Sequence, residues 1–167
     1  MSLDTPYAMS STEPLESLYQ RPGFLLRRAH QLSVGIFEEQ CRELRLTPLQ
    51  YGALFVLARA PELDQSALAR ALGIDRVNAS HLLRGLEQRG LLERGLDPTD
   101  GRKRQLRLTP AGDDVLEAAH APSSSAYERL LAPLSRYEQA TLIALLGKLC
   151  TALEPEARTP MVPPTIR

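Results

Sequence analysis

Between Asp64 and Thr109 the chain offers two short amphipathic runs divided by a glycine, then two strand-like runs divided by a turn. In the first run Ala67, Leu68, Ala71 and Leu72 recur at three- and four-residue steps, which gathers them on one face of a helix. Asp64 precedes it, with a carboxylate able to accept from the open amides of a first turn. Gly73 follows, where a helix that must turn sharply needs a residue tolerant of positive φ. Asp75 offers a second cap, and Ala79, Leu82, Leu83 and Leu86 form the apolar stripe of a second helix closed by Gly90. Its other side shows Arg76, Asn78, Ser80, His81 and Arg84. Short hydroxyl and amide groups there can reach base edges, and Arg or His can donate to guanine or phosphate. An ordinary solvated helix would also show a polar side.

The hairpin adds weight. Leu91 to Leu96 is a short apolar-rich strand candidate, and Leu106 and Leu108 alternate with Gln105 and Arg107 in the period of a half-buried strand. Asp97-Pro98-Thr99-Asp100-Gly101 between them is turn chemistry, with Arg102, Lys103, Arg104 and Arg107 crowding the tip. From Arg76 to Arg107 there are eight basic and four acidic residues, in a chain of formal net charge zero. Positive charge is thus segregated onto this segment, which a merely solubilising turn would not require. Helix, tight turn, helix and hairpin make a winged helix-turn-helix, a device for reading double-stranded DNA.

These residues carry a resemblance. Thr47-Pro48-Leu49-Gln50-Tyr51, Leu68-Ala69, Leu72-Gly73 and Leu86-Glu87-Gln88-Arg89-Gly90-Leu91 are similar to the MarR family of bacterial transcription regulators. So are Asp97-Pro98-Thr99-Asp100-Gly101-Arg102 and Leu108-Thr109-Pro110-Ala111-Gly112, the most specific part of a likeness that runs from about Gly23 to Leu153. The resemblance implies a dimer, a recognition helix in the major groove, and a wing arginine in the adjacent minor groove. It makes Arg102 that arginine, with Asp100 orienting it, and carries the recognition positions onto Arg76, Val77, Asn78, Ser80 and His81. Val77 and the pair Arg84-Gly85 depart from the family's usual residues.

The rest of the chain divides around this head. Residues 1–21 read as a mobile arm, 22–46 as a dimerisation helix and 47–109 as the winged helix-turn-helix region. Residues 110–154 read as C-terminal dimerisation helices and 155–167 as a Pro-rich tail. Gly23 to Leu44 has helical spacing in Phe24, Leu25, Ala29, Leu32, Ile36 and Phe37. Thr47 to Gln50 has the form of a capping box, and Leu63 can start a very short strand. Pro122 predicts a break near His120 to Ser123, and Ser135 to Glu138 repeats the capping-box pattern. The fold class is therefore mainly α with a small β-hairpin wing, plus a helical dimerisation region. Three long apolar-faced helices lack a second core to cover, so they are expected to pack on a second copy rather than fold inward as a monomer. A twofold dimer would read a pseudo-palindromic operator with half-sites about one turn, ~10 bp, apart.

No phosphate loop, nucleophile elbow or metal-ligand spacing is present, so neither catalysis nor a cofactor is expected. Met1 to Gln20 lacks the basic start and apolar run of a leader, and no apolar stretch approaches the ~18 residues that span a bilayer. No membrane partner is expected, and isolated Cys41 and Cys150 suit a reducing cytoplasm. The resemblance further implies a repressor released by a small aromatic carboxylate or phenolic effector. Arg27, Arg28 and His30 on the first long helix, with Tyr51, are the candidates to bind it, although the arginines could equally make ion pairs and Tyr51 pack in the core. Two alternatives stay open: thiol sensing through Cys41 beside Arg42 and Arg45, and a protein-docking module without DNA binding.

Overall fold

Side-chain caps fix where most helices begin. The computed structural model describes residues 14–61, 63–96 and 104–164. A short helix α1 (Leu15–Tyr19) precedes α2 (Pro22–Gln40), so the last part of the expected arm is helical, with the Tyr19 ring edge-on to Phe24. α3 (Pro48–Arg59) starts on a complete capping box: Gln50 N donates to Thr47 Oγ1, and Thr47 N to Gln50 Oε1, both at 3.2 Å. α4 (Gln65–Leu72) and α5 (Arg76–Gln88) begin on Asp64 and Asp75, whose carboxylates accept from Ala67 N at 2.7 Å and Asn78 N at 2.8 Å. Gly73 between them has φ 62°, the left-handed turn that glycine adopts without strain.

Strands β1 (Leu92–Leu96) and β2 (Arg104–Leu108) pair antiparallel, with Leu92 opposite Leu108 and Arg94 opposite Leu106. Leu63 joins this hairpin by accepting from Leu106 N at 2.8 Å, and among the described residues it forms no strand. The alternation read in β2 is also imperfect, because Gln105 is buried alongside Leu106.

Beyond the hairpin, Thr109 caps α6 (Pro110–Ala118) by accepting from Gly112 N at 3.1 Å. The break expected around Pro122 falls at Ala119, between α6 and α7 (His120–Leu131). Pro122 then occupies the first turn of α7, where a missing N–H leaves no helical bond unmade. α8 (Arg136–Leu153) opens on a second full capping box. The Ser135 hydroxyl and amide both donate to Glu138, which holds that carboxyl below its ordinary range.

α3 occupies the centre. Its Ala53, Leu54 and Leu57 are buried among Leu68, Leu83, Leu86, Leu92, Leu106 and Leu116, drawn from α4, α5, the hairpin and α6. α2 packs along α7, tied by the ion pair of Arg129 with Glu39 at 2.8 Å. α2 stops at Gln40 rather than running to Leu44 as its periodicity suggests. A 3₁₀ turn at Arg42–Leu44 intervenes, and Arg45 stands at φ 50°, a conformation that ends a helix. No residue of α8 is buried, and Phe37 is the sole buried residue of α2. Leu142, Leu146, Leu149 and Leu153 line one side of α8 uncovered, as do Leu25, Leu26 and Leu32 on α2.

Candidate nucleic-acid interface

The face of α5 opposite its buried stripe decides what the head can touch. Ala79, Leu82, Leu83 and Leu86 turn inward, which places Val77, His81, Arg84 and Gln88 outward in a line of three- and four-residue steps. All four are exposed, Val77 at 65%. An uncovered valine amid donors is a natural contact for a thymine methyl. Gln88 was not singled out from the sequence, although its position eleven residues after Val77 puts it on the same line.

The flanking candidates are partly engaged. Arg76 is exposed at the first turn. Asn78 is exposed too, but its side-chain amide donates to Asp75 Oδ2 at 3.0 Å, so the residue that caps the helix also orients this amide. Ser80 is half-buried, and its hydroxyl accepts from Gln65 Nε2 at 3.1 Å. It joins α4 to α5 rather than facing out with His81. Arg104 is exposed at the start of β2. Asp100, Arg102 and Lys103 lie outside the described residues.

The basic residues of the segment divide by task. Arg94 makes a bidentate pair with Glu87, at 2.7 and 3.1 Å, and also donates to Gln65 Oε1 at 3.3 Å. It thereby ties the base of the wing to both helices of the turn. Arg89 donates to the carbonyls of Leu44 at 2.7 Å and Arg45 at 2.8 Å, holding the left-handed Arg45 in place. Neither guanidinium stands ready for phosphate. Arg89→Ala is therefore expected to lower stability by about 1–2 kcal/mol. It should leave the salt dependence of DNA binding as in the parent, measured by urea unfolding and by titrations at several ionic strengths.

The candidate effector residues are not brought together within one protomer. Tyr51 is half-buried, its ring 5.6 Å from Phe37 and 6.0 Å from Phe55. Tyr127 joins them from α7, 6.4 Å from Phe37, its hydroxyl pKa pushed up by burial and by its neighbours Tyr51 and Cys41. Arg28 and His30 are exposed on the first half of α2, and Arg27 stacks on Phe24. Nine residues separate Arg28 from Phe37, roughly 13 Å along the helix, which an arginine side chain does not span. A cation that does reach the aromatic cluster is Arg59, whose guanidinium carbon is 3.5 Å from the Phe55 centroid.

Cys41 is 1% exposed, and burial pushes its thiol pKa up. Neither Arg42 nor Arg45 offsets that rise, a setting opposite to the electropositive, exposed one of a reactive thiolate. Among the described residues no cluster of metal-ligating side chains occurs, and no helix is long and apolar enough to cross a membrane.

Comparison with known proteins agrees with this geometry. Residues 46–103 match the MarR family. The chain is 37% identical over 131 residues to a putative transcriptional regulatory protein for the hcr operon of Thauera aromatica, covering 76% of this chain and 77% of that one. Its fold is similar to the transcriptional repressor CouR bound to a 23-mer DNA duplex, with a TM-score of 0.76 and 30% identity over 84% of this chain and 99% of that one. It is also similar to Bordetella bronchiseptica BpsR, whose DNA binding is regulated by 6-hydroxynicotinic acid, with a TM-score of 0.73 and 28% identity over 78% of this chain and 94% of that one. An uncovered donor-bearing helix beside a basic hairpin, on a scaffold shared with these proteins, has one reading: the chain belongs to the MarR family and is a winged helix-turn-helix, DNA-binding transcription regulator.

Proposed function

We propose that the chain works as a homodimeric repressor in the cytoplasm, gripping a pseudo-palindromic operator until a small aromatic acid releases it. The observation that carries this is the pairing of an uncovered reading face on α5 with uncovered leucine faces on α2 and α8. A second copy is the partner that covers both leucine faces while supplying the second head.

Val77, His81, Arg84 and Gln88 then enter the major groove, with Arg76 and Asn78 beside them, and Arg102, Lys103 and Arg104 track the neighbouring backbone and minor groove. Asp100 orients Arg102. The effector site is the aromatic cluster of Phe37, Tyr51, Phe55 and Tyr127, which joins α2 and α7 to the head through α3. BpsR, regulated by a hydroxylated aromatic acid, supports that ligand class. A carboxylate there needs a cation: Arg59 from the same chain, or Arg28 delivered across the dimer seam.

Selection of bound sequences from random duplexes, with and without 6-hydroxynicotinic acid and related acids, tests this reading. The expected product is an inverted repeat with half-site centres about 10 bp apart. Enrichment of a single unrepeated site would overturn the dimeric grip. On the selected operator Arg102→Ala should weaken binding to every duplex and flatten the log–log salt slope by about 1.8, roughly 0.9 for each protomer. His81→Ala should instead change which bases are selected. An unchanged slope for Arg102→Ala would remove it from the phosphate contacts.

A further inference from the structure

The segment after α8 does not trail into solvent. A 3₁₀ turn at Glu154–Glu156 bends the chain, and the Glu154 carboxylate accepts from Met161 N, folding the next residues back. Thr159 Oγ1 then donates to Gly73 O at 2.7 Å, and Val162 N donates to Arg70 O at 2.9 Å. Both acceptors belong to the C-terminal end of α4, where helix carbonyls lack partners of their own. A Cβ placed on Gly73 would lie 3.6 Å from Met161 Cβ and 3.7 Å from Thr159 O, so the segment is in contact with the turn itself. It flanks Asp75, the cap of α5, and Arg76, its first residue.

α8 is consequently held at two ends and along neither side. At its start, Gln139 Nε2 donates to the carbonyls of Leu131 and Leu134, at 3.0 and 2.9 Å, which ties it to the end of α7. At its finish, residues 157–164 tie it to the helix-turn-helix. We propose that residues 157–164 are a strap that fixes the angle between α8 and the reading head, and that operator affinity depends on it. The strap touches no base. Thr159 and Met161 are positioning residues, acting through Gly73 on the cap and first turn of α5. The inference extends DNA binding by this family member and does not require that the chain be dimeric.

The test compares the full chain with one ending at Glu156, and with Thr159→Val, which removes one hydrogen bond only. Nitroxides are placed on Lys148→Cys in α8 and Glu93→Cys in β1, in a Cys150→Ser background and diluted with unlabelled chain so that distances within one chain are read. The full chain should give one narrow distance. Truncation should broaden it and lower operator affinity about tenfold, with Thr159→Val intermediate and the association state by sedimentation unchanged. An unchanged distance distribution, or a broadened one with parental affinity, overturns the strap. Should the truncated chain misfold, parental distances and affinity in Thr159→Val overturn it equally. A wild-type chain that sediments as a monomer would refute the dimeric reading and leave these distances to decide the strap.

Discussion

Gly112→Ala should destabilise the chain by about 3 kcal/mol or more, the upper end of what overpacking does in a rigid core. A Cβ at this position would lie 2.0 Å from the carbonyl oxygen of Leu91 and 3.0 Å from its carbonyl carbon. These are backbone atoms at the foot of the hairpin and cannot swing aside. The same oxygen already accepts from Thr109 N at 3.2 Å, and the Thr109 hydroxyl donates to Gly90 O at 2.6 Å. Thr109 thus caps α6 and pins it to the hairpin, and Gly112, one turn on, lets the helix lie against the pinned strand. Alanine would force apart either the cap or the wing. Urea unfolding followed by circular dichroism measures the loss. Gly147→Ala in α8, where nothing approaches within 4 Å, serves as the control and should gain about 0.5–1 kcal/mol. A Gly112→Ala protein within about 0.5 kcal/mol of the parent would show that the contact relaxes, against this account.

The double change Leu146→Asp, Leu149→Asp should abolish self-association and, with it, tight operator binding. The two leucines are adjacent on the uncovered line of α8. Each buried leucine is worth about 1.5–3 kcal/mol, and a twofold seam contains both twice. Association should weaken by at least about a thousandfold, since 1.4 kcal/mol is a factor of ten. Unlinked half-sites then lose the effective-concentration gain of about 10²–10⁴ that two tethered heads enjoy. Sedimentation and operator titration read both effects, while an unaltered helical spectrum confirms that the monomer is folded. A stable dimer in the double variant would move the seam elsewhere.

What the sequence disclosed, and what it withheld, follows from how local each cause is. The caps at Thr47, Asp64, Asp75, Thr109 and Ser135 all act on amides three residues away, so their pattern is visible in the chain itself. The glycines at 73 and 90 were legible for the same reason, and both have positive φ. The apolar stripe of α5 and hence its outward face came from periodicity alone. The end of α2 did not, because Arg45 is held in its turn by Arg89, forty-four residues onward. Ser80 looked like a DNA contact because its partner, Gln65, becomes a neighbour only after α4 and α5 pack together. Arg28 and Tyr51 seemed to share a pocket because their residue types suit one acid. Helix rise separates them within a chain. The tail's place over Gly73 had no sequence signal, since a proline-rich end looks alike whether docked or loose.

The clamp of Arg94 across Glu87 and Gln65 bears on how a duplex is met. Strand β1, helix α5 and helix α4 are fastened at a single guanidinium, so the base of the hairpin and the helix proposed to read DNA form one preassembled body. Little internal freedom between those elements would remain to be lost in the two-groove grip proposed above. Encounter then becomes a search over orientations of a single rigid shape, and discrimination among sequences rests on side chains at its surface rather than on reshaping of the head.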